Sequence, residues 1–257
     1  MTDLATIAGH LDALLGTATI PDYPGAVNGV QLANRGAIRR VAASVDISKR
    51  VIDGAIAAAA NLLIVHHGMF WGGAQPIVGP VYERIRMLVT HDIAVYSSHL
   101  PLDAHPSLGN NVLLAHTLGL EPVGGFARYK TIDVGVRGET DLETTELCNR
   151  AEAFARRHGG GVRVTTIPPG HRTRRWGICT GAGASTETLL EAQTLALDTL
   201  IVGEGPHHTA VAADEAGLVV IYAGHYATET LGVSAVAEHL TVTFGIPSTF
   251  IAAPTGL

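Results

Sequence analysis

Cysteine is scarce in this sequence, and the two that occur, Cys148 and Cys179, have no CxxC partner. This excludes a disulfide framework and a cysteine-rich zinc site, so a reduced, cytoplasmic protein is the simplest expectation. Charged residues make up only 16% of the chain, with a formal net charge of −6, so neither nucleic acid nor a membrane surface is expected as a partner. No apolar run reaches the length of a membrane span, and the acidic, amphipathic stretch 1–16 does not resemble a signal peptide.

Histidine is abundant by contrast, with 13 residues, several of which follow short apolar runs. The run 62–65, Leu-Leu-Ile-Val, is too short for a helix and predicts a buried parallel strand. His66 and His67 stand at its end. Ligands of open α/β sheets collect just beyond the carboxyl ends of the strands, and imidazole is the commonest protein metal ligand. An isolated pair of histidines more often occurs by chance than as metal ligands, so a metal site here needs further candidate ligands elsewhere in the chain.

The first half of the sequence predicts a β-α-β-α-β order, which is typical of a parallel sheet. Strands are expected at 38–46, 61–67 and 93–99, and helices at 49–60, capped by Ser48, and at about 80–90. The third strand also ends in a histidine, His99.

A similar order returns after a middle segment. Strands are expected at 176–181, 199–202 and 218–225, with helices at 185–196 and 207–216 between them. The strand before His66 can be laid on 198–202, and the strand ending in His99 on the strand ending in His225. An acid stands four places after each of these two histidines. An internal duplication of βαβαβ units is the simplest account.

The duplication brings histidines and acids to the same ends of predicted strands. This mixture of imidazole and carboxylate suits zinc or iron, with manganese as an alternative, better than calcium or magnesium. Three histidines and two acids exceed the needs of one catalytic zinc, whereas two cations about 3.5–4 Å apart would use them all. In the alternative interpretation these histidines are hydrogen-bonded core groups, but a matching set from two halves makes that the weaker of the two. The candidate metal ligands are His66, His67, Asp103, His225 and Glu229, with His99 and Glu204 nearby.

Five motifs in this order resemble the GTP cyclohydrolase I type 2 homologues, also called Nif-three-like dinuclear metal-centre proteins. The motifs are Asn28-Gly29-Val30-Gln31, residues 64–71 around His66 and His67, residues 99–111 around Asp103, Val202-Gly203-Glu204 and residues 224–229. The resemblance implies that the five candidate ligands bind two divalent cations per chain, with Glu229 bridging them. It also implies an intertwined two-part fold and a toroidal homohexamer.

We therefore predict an α/β protein of two intertwined, duplicated βαβαβ units in a layered α/β/α arrangement with a short middle subdomain. The predicted divisions are a first half over 1–128, a connecting subdomain over 129–172 and a second half over 173–257.

The functional hypothesis is a metal-dependent hydrolase acting on a small, nucleotide-like substrate. A water acidified by the cations would be the nucleophile, and Glu204 is the candidate catalytic residue that moves protons, with His99 as an alternative. Asn110 or Asn111 could orient the substrate. Phe70 and Trp71 could stack on a base, although packing is an equal alternative. The competing hypothesis is a non-catalytic metal-handling or regulatory hexameric scaffold, which would use the same ligands.

Overall fold

The computed structural model describes residues 2–257, which form a mixture of helices and strands. The helices are α1 (Leu4–Leu15), α2 (Lys49–Ala57), α3 (Gly79–Thr90), α4 (Leu100–Asp103), α5 (Asn110–Thr117), α6 (Thr144–Arg157), α7 (Thr186–Thr194), α8 (His207–Glu215), α9 (His225–Thr228) and α10 (Thr230–Phe244). The strands are β1 (Gly29–Leu32), β2 (Val41–Asp46), β3 (Leu62–His67), β4 (Ala94–Ser97), β5 (Pro122–Tyr129), β6 (Ile132–Glu143), β7 (Arg163–Val164), β8 (Arg172–Cys179), β9 (Thr199–Val202), β10 (Val219–Tyr222) and β11 (Ser248–Phe250).

The strands form two sheets, each built around three parallel strands joined by helices. The first sheet has the order β1-β4-β3-β2-β11, in which β2, β3 and β4 are parallel and β1 is antiparallel to β4. The second has the order β5-β6-β8-β9-β10-β7, in which β8, β9 and β10 are parallel and β7 is antiparallel to β10. The predicted duplication of βαβαβ units and the α/β fold class are therefore confirmed.

The helix α2 begins after Ser48 as predicted, and α7 begins in the same way after Ser185. Ser48 and Ser185 each have extended backbone, and each side-chain oxygen accepts a hydrogen bond from the backbone N–H three residues later. This arrangement satisfies a helix N–H group that would otherwise have no partner within the helix.

The chain divides into two compact units that interleave along the sequence. The first consists of the residues up to Leu102 together with Gly232–Ala253, and the second of Asp103–Leu231 and Pro254–Leu257. In the first unit, side chains of β2, β3 and β4 pack with Val51, Ile52 and Leu88 of α2 and α3. In the second, α5 and α6 cover one face of the sheet, and α7 and α8 cover the other.

These units do not follow the predicted divisions at 128 and 172. The range 129–172 contains β6, which is hydrogen-bonded between β5 and β8, so this stretch is built into the second sheet. The strand β5 was not predicted, because Gly124 and Gly125 interrupt its apolar pattern. The long β5–β6 hairpin that results makes the second sheet wider than the first.

No helix among residues 2–257 combines the length and the apolar character needed to cross a membrane.

Candidate metal centre

Three histidines converge at one edge of the first unit. His66 and His67 end β3, and His99 follows the neighbouring parallel strand β4, so the sheet places the three close together. One nitrogen from each ring can be chosen so that all three lie within 4.8 Å of one another. The sequence predicted His66 and His67 as ligands at this edge and placed His99 beside them.

The hydrogen bonds of His66 and His67 fix which nitrogen of each ring can bind a cation. The Nδ1 of His66 lies 2.9 Å from the carbonyl oxygen of Ser98, and that of His67 lies 2.9 Å from Asp46 Oδ1. Carbonyl and carboxylate oxygens only accept hydrogen bonds, so each Nδ1 carries the proton and Nε2 carries the lone pair. Metal-binding histidines characteristically have such a partner on the second nitrogen.

His99 is oriented by the buried carboxylate of Asp22, which makes several hydrogen bonds of its own. Its Nδ1 lies 2.9 Å from Asp22 Oδ1, and its backbone N–H donates to the side chain of Asn28. Asp22 Oδ2 in turn accepts from Asn28 and from the backbone N–H of Leu100. Burial works against the charged carboxylate, but these hydrogen bonds and the interaction with His99 lower the pKa of Asp22 on balance.

The second unit contributes a histidine and two acids. His225 Nδ1 lies 2.7 Å from Glu204 Oε1, and His225 Nε2 lies 3.2 Å from Glu229 Oε2. Burial opposes a charge on the ring, but hydrogen bonds and charges from Glu229 and Glu204 outweigh it and raise the pKa of His225 to about 9. A cation at Nε2 therefore has to displace a proton that these acids retain.

The turn after β8 leaves room for these side chains because it lacks one of its own. Gly181 has a left-handed backbone with φ of 61°, and a Cβ atom there would overlap the carboxylate of Glu229 and lie 3.3 Å from His225 Nε2. Its backbone N–H donates to Thr228 Oγ1, which ties the turn to α9. Glycine is therefore required both by conformation and by space.

Asp103, the remaining predicted ligand, is buried in the second unit. Asn110 donates to its carboxylate at 2.9 Å, and Asn111 donates to its backbone carbonyl at 3.3 Å. Asn111 also joins the carbonyl of Val134 and the N–H of Thr180. Both amides are fully buried and engaged in this way, so they position Asp103, in contrast to the predicted role in orienting the substrate.

Cys179 lies near these carboxylates. Burial raises the pKa of its thiol to about 12, and the charges of Asp103 and Glu229 contribute in the same direction. A thiol in this state is not a nucleophile near neutral pH. The chemistry of the site consequently belongs to its imidazoles and carboxylates.

The residues in each unit fit a divalent cation by their chemistry. The first offers imidazole nitrogens with fixed tautomers, and the second offers a histidine between two carboxylates. The Nδ1 partners Asp46, Asp22 and Ser98 had no assigned role in the sequence analysis. For Asp46, the sequence feature that could have indicated this role was its position at the end of a predicted strand. In the structure this strand is β2, and the sheet register pairs Asp46 with His67.

Replacement of Asp46 by alanine is expected to weaken metal binding about 10- to 100-fold, because the ring of His67 loses the acceptor that orients it. Competition with a chromogenic chelator measures the affinity. Asp53→Ala is the control, since Asp53 is an exposed carboxylate of the same unit that pairs with Lys49. Equal affinity of the two variants would contradict a supporting role for Asp46.

The fold and these two groups of side chains, one in each unit, define an α/β protein with candidate histidine and glutamate metal-binding groups. The chain belongs to the DUF34/NIF3 (NGG1p interacting factor 3) family, whose model matches residues 3–255. It is 40% identical over 242 residues, 91% of this chain and 88% of the relative, to the GTP cyclohydrolase 1 type 2 homolog of Deinococcus radiodurans. Two solved structures match the whole chain and are matched in full: the protein ybgI, with a TM-score of 0.90 and 32% identity, and TTHA1606 from Thermus thermophilus, with a TM-score of 0.86 and 34% identity.

Proposed function

We propose that the protein is a dinuclear metal-dependent hydrolase acting on a small, nucleotide-like substrate. The observation that carries the proposal is the set of histidines whose Nδ1 atoms are held by oxygen acceptors. Support also comes from the family and from the relative in Deinococcus radiodurans, which is named GTP cyclohydrolase 1 type 2 homolog.

The proposed ligands come from both units. His66 and His67 of the first and Asp103, His225 and Glu229 of the second would hold two divalent cations, zinc or iron, or manganese. Their imidazole and carboxylate donors suit these metals. Glu229 would bridge the two cations.

Bound cations supply Lewis acidity and make a water molecule more acidic. The contribution of the chain would be to hold the ligands and to move protons. Glu204 is suited to carry protons because it contacts His225 Nδ1 while 46% of its side chain remains exposed to solvent. Asn110 donates to the carboxylate of Asp103 and Asn111 donates to its backbone carbonyl, so the two amides keep this residue in place.

Two substitutions of Glu204 separate catalysis from metal binding. Glu204→Gln keeps an oxygen that can accept from His225 but loses the acid, so bound metal should be retained while turnover falls about 100-fold or more. Glu204→Ala also loses the acceptor and should weaken metal binding. The metal-loaded protein is assayed against GTP, by loss of the purine absorbance, and against a panel of phosphoesters.

The outcome distinguishes the enzyme from the scaffold hypothesis. Turnover by the parent protein that is lost in Glu204→Gln with its metal retained supports the hydrolase. Two bound cations without turnover of any substrate would overturn it in favour of a metal-handling scaffold.

We further propose a toroidal homohexamer as the assembled form, supported by the family resemblance. Light scattering coupled to size-exclusion chromatography tests this directly. A mass near six times 26.8 kDa is expected, and a monomeric mass contradicts it.

A further inference from the structure

Two aromatic side chains lie beside the histidine cluster of the first unit and remain partly exposed. Trp71 contacts His67 and His99 edge to face, with ring centroids 5.7 and 4.7 Å apart. Tyr23 lies 6.1 Å from His99 and 6.5 Å from Trp71, centroid to centroid. Trp71 is 38% exposed and Tyr23 is 49% exposed, so each presents much of its surface to solvent next to candidate ligands.

The backbone that carries these rings is fixed by the amide of Gln31. Its nitrogen donates to the carbonyls of Ala26 and Val27, each at 3.0 Å, and its oxygen accepts from the N–H of Met69 at 2.7 Å. The amide thus joins the segment after Tyr23 to the segment before Trp71.

Two glycines allow these segments to approach. A Cβ atom at Gly68 would overlap the Gln31 amide, and one at Gly25 would lie 3.1 Å from the backbone oxygen of Trp71. The exposed rings therefore stand on a closely packed support, which lowers the entropic cost of binding a ligand.

We propose that Trp71 and Tyr23 form a stacking subsite for the planar heteroaromatic base of the substrate. This inference rests on the proposed function and names the part of the substrate that the first unit recognises. An aromatic side chain can stack on any base. A base that stacks here lies next to the histidines of the first unit, so the reacting part of the substrate would lie close to the candidate metal-binding residues.

The charges around the subsite favour a base over the other groups of a nucleotide. Asp22 and Asp46, which hold His99 and His67, are acidic and disfavour a phosphate here. Asp22 is not available to an organic cation, because its side chain is only 7% exposed and its two oxygens already accept hydrogen bonds from the protein. Asp46 is 40% exposed, but its Oδ1 already contacts His67, and tetramethylammonium measures how strongly its remaining charge attracts a cation. The subsite therefore selects the ring system of the ligand.

Phe70 provides a matched comparison. It is 37% exposed and adjacent to Trp71, but it lines a separate apolar cavity of about 160 Å³ with residues that include Ile77 and Val81. From the sequence, Phe70 and Trp71 were equal candidates for stacking on a base. The structure distinguishes them, since Trp71 is the one of the two whose ring contacts His67 and His99.

The test measures binding of guanosine to the metal-loaded protein, with ribose 5-phosphate and tetramethylammonium as probes that lack a base. The protein has two tryptophans, of which Trp176 is fully buried. Guanosine should therefore quench the fluorescence of the exposed Trp71, whereas the other two probes should not. By calorimetry, Trp71→Leu should weaken guanosine binding about 5- to 100-fold, the range that loss of a stacked aromatic produces. Trp71→Phe should restore most of the affinity, and Phe70→Leu should leave it unchanged.

The inference is overturned if guanosine does not bind, if it binds Trp71→Leu as tightly as the parent, if Phe70→Leu weakens it equally, or if tetramethylammonium binds as well as guanosine does. Metal content and circular dichroism of each variant establish that the fold is retained. Guanosine binding without any turnover leaves the subsite standing and counts against the hydrolase. Turnover of a phosphoester without guanosine binding supports the hydrolase and overturns the stacking subsite.

Discussion

Replacement of Glu229 by alanine is expected to reduce the bound metal from about two equivalents per chain to less than one. The proposed bridging role means that both cations lose a ligand at once, and a site short of one carboxylate holds its metal much less tightly. His66→Ala should also lower the metal content, because its Nε2 is a proposed ligand from the other unit. Elemental analysis of protein purified without chelators gives the stoichiometry.

His91→Ala is the matched control for the histidine variant. His91 is exposed at the end of α3, so this substitution removes an imidazole from the surface of the same unit. It should leave the metal content unchanged. If Glu229→Ala and His66→Ala both kept two equivalents, the proposed ligand set would be wrong. If only one of them lost metal, the cations would not draw on both units.

Strand ends explain why much of the fold and the candidate site could be predicted. The apolar run before His66 is short and lies between helix-forming segments, which leaves few alternatives to a parallel strand. In a parallel sheet the carboxyl ends of neighbouring strands share one edge, so His67 and His99 could be placed together from their positions in the sequence. The same reasoning grouped His225 with Glu229, one helical turn later.

The partners that orient these rings could not be predicted, because they depend on register and on contacts remote in sequence. Asp22 reaches His99 across 77 positions, through a loop that shows no periodic pattern. The pairing of Asp46 with His67 requires the exact alignment of β2 with β3. A shift of one residue would have turned these side chains to the opposite face.

The duplication was also less regular than the sequence suggested. Strand pairing aligns Val65 with Ser97 in the first sheet and Val202 with Tyr222 in the second. His99 is the second residue after its strand, whereas His225 is the third. The two histidines, each with an acid four places later, are therefore offset by one position between the repeats, a difference that only the hydrogen bonds between strands reveal.

Replacement of Phe154 by alanine is expected to lower the free energy of unfolding by about 3–5 kcal/mol, the cost of deleting a fully buried aromatic side chain. Phe154 is 1% exposed on α6, and its core cluster includes Trp176 and Ile221. Urea denaturation in the presence of a chelator, followed by Trp176 fluorescence in a Trp71→Phe background, measures the change. The urea midpoint of the unfolding transition that Trp176 reports should fall, because α6 belongs to the core around that residue.

The control for this prediction is Leu190→Ala, which removes an apolar side chain that is 57% exposed on α7 of the same unit. It should change the free energy of unfolding by no more than about 0.5 kcal/mol. If Phe154→Ala left the Trp176 transition in place, the stretch 129–172 would fold as a separate connecting subdomain. A shift confined to Phe154→Ala instead makes this stretch part of the core that supports Asp103, His225 and Glu229, because α6 and β6 pack in the same unit as those residues.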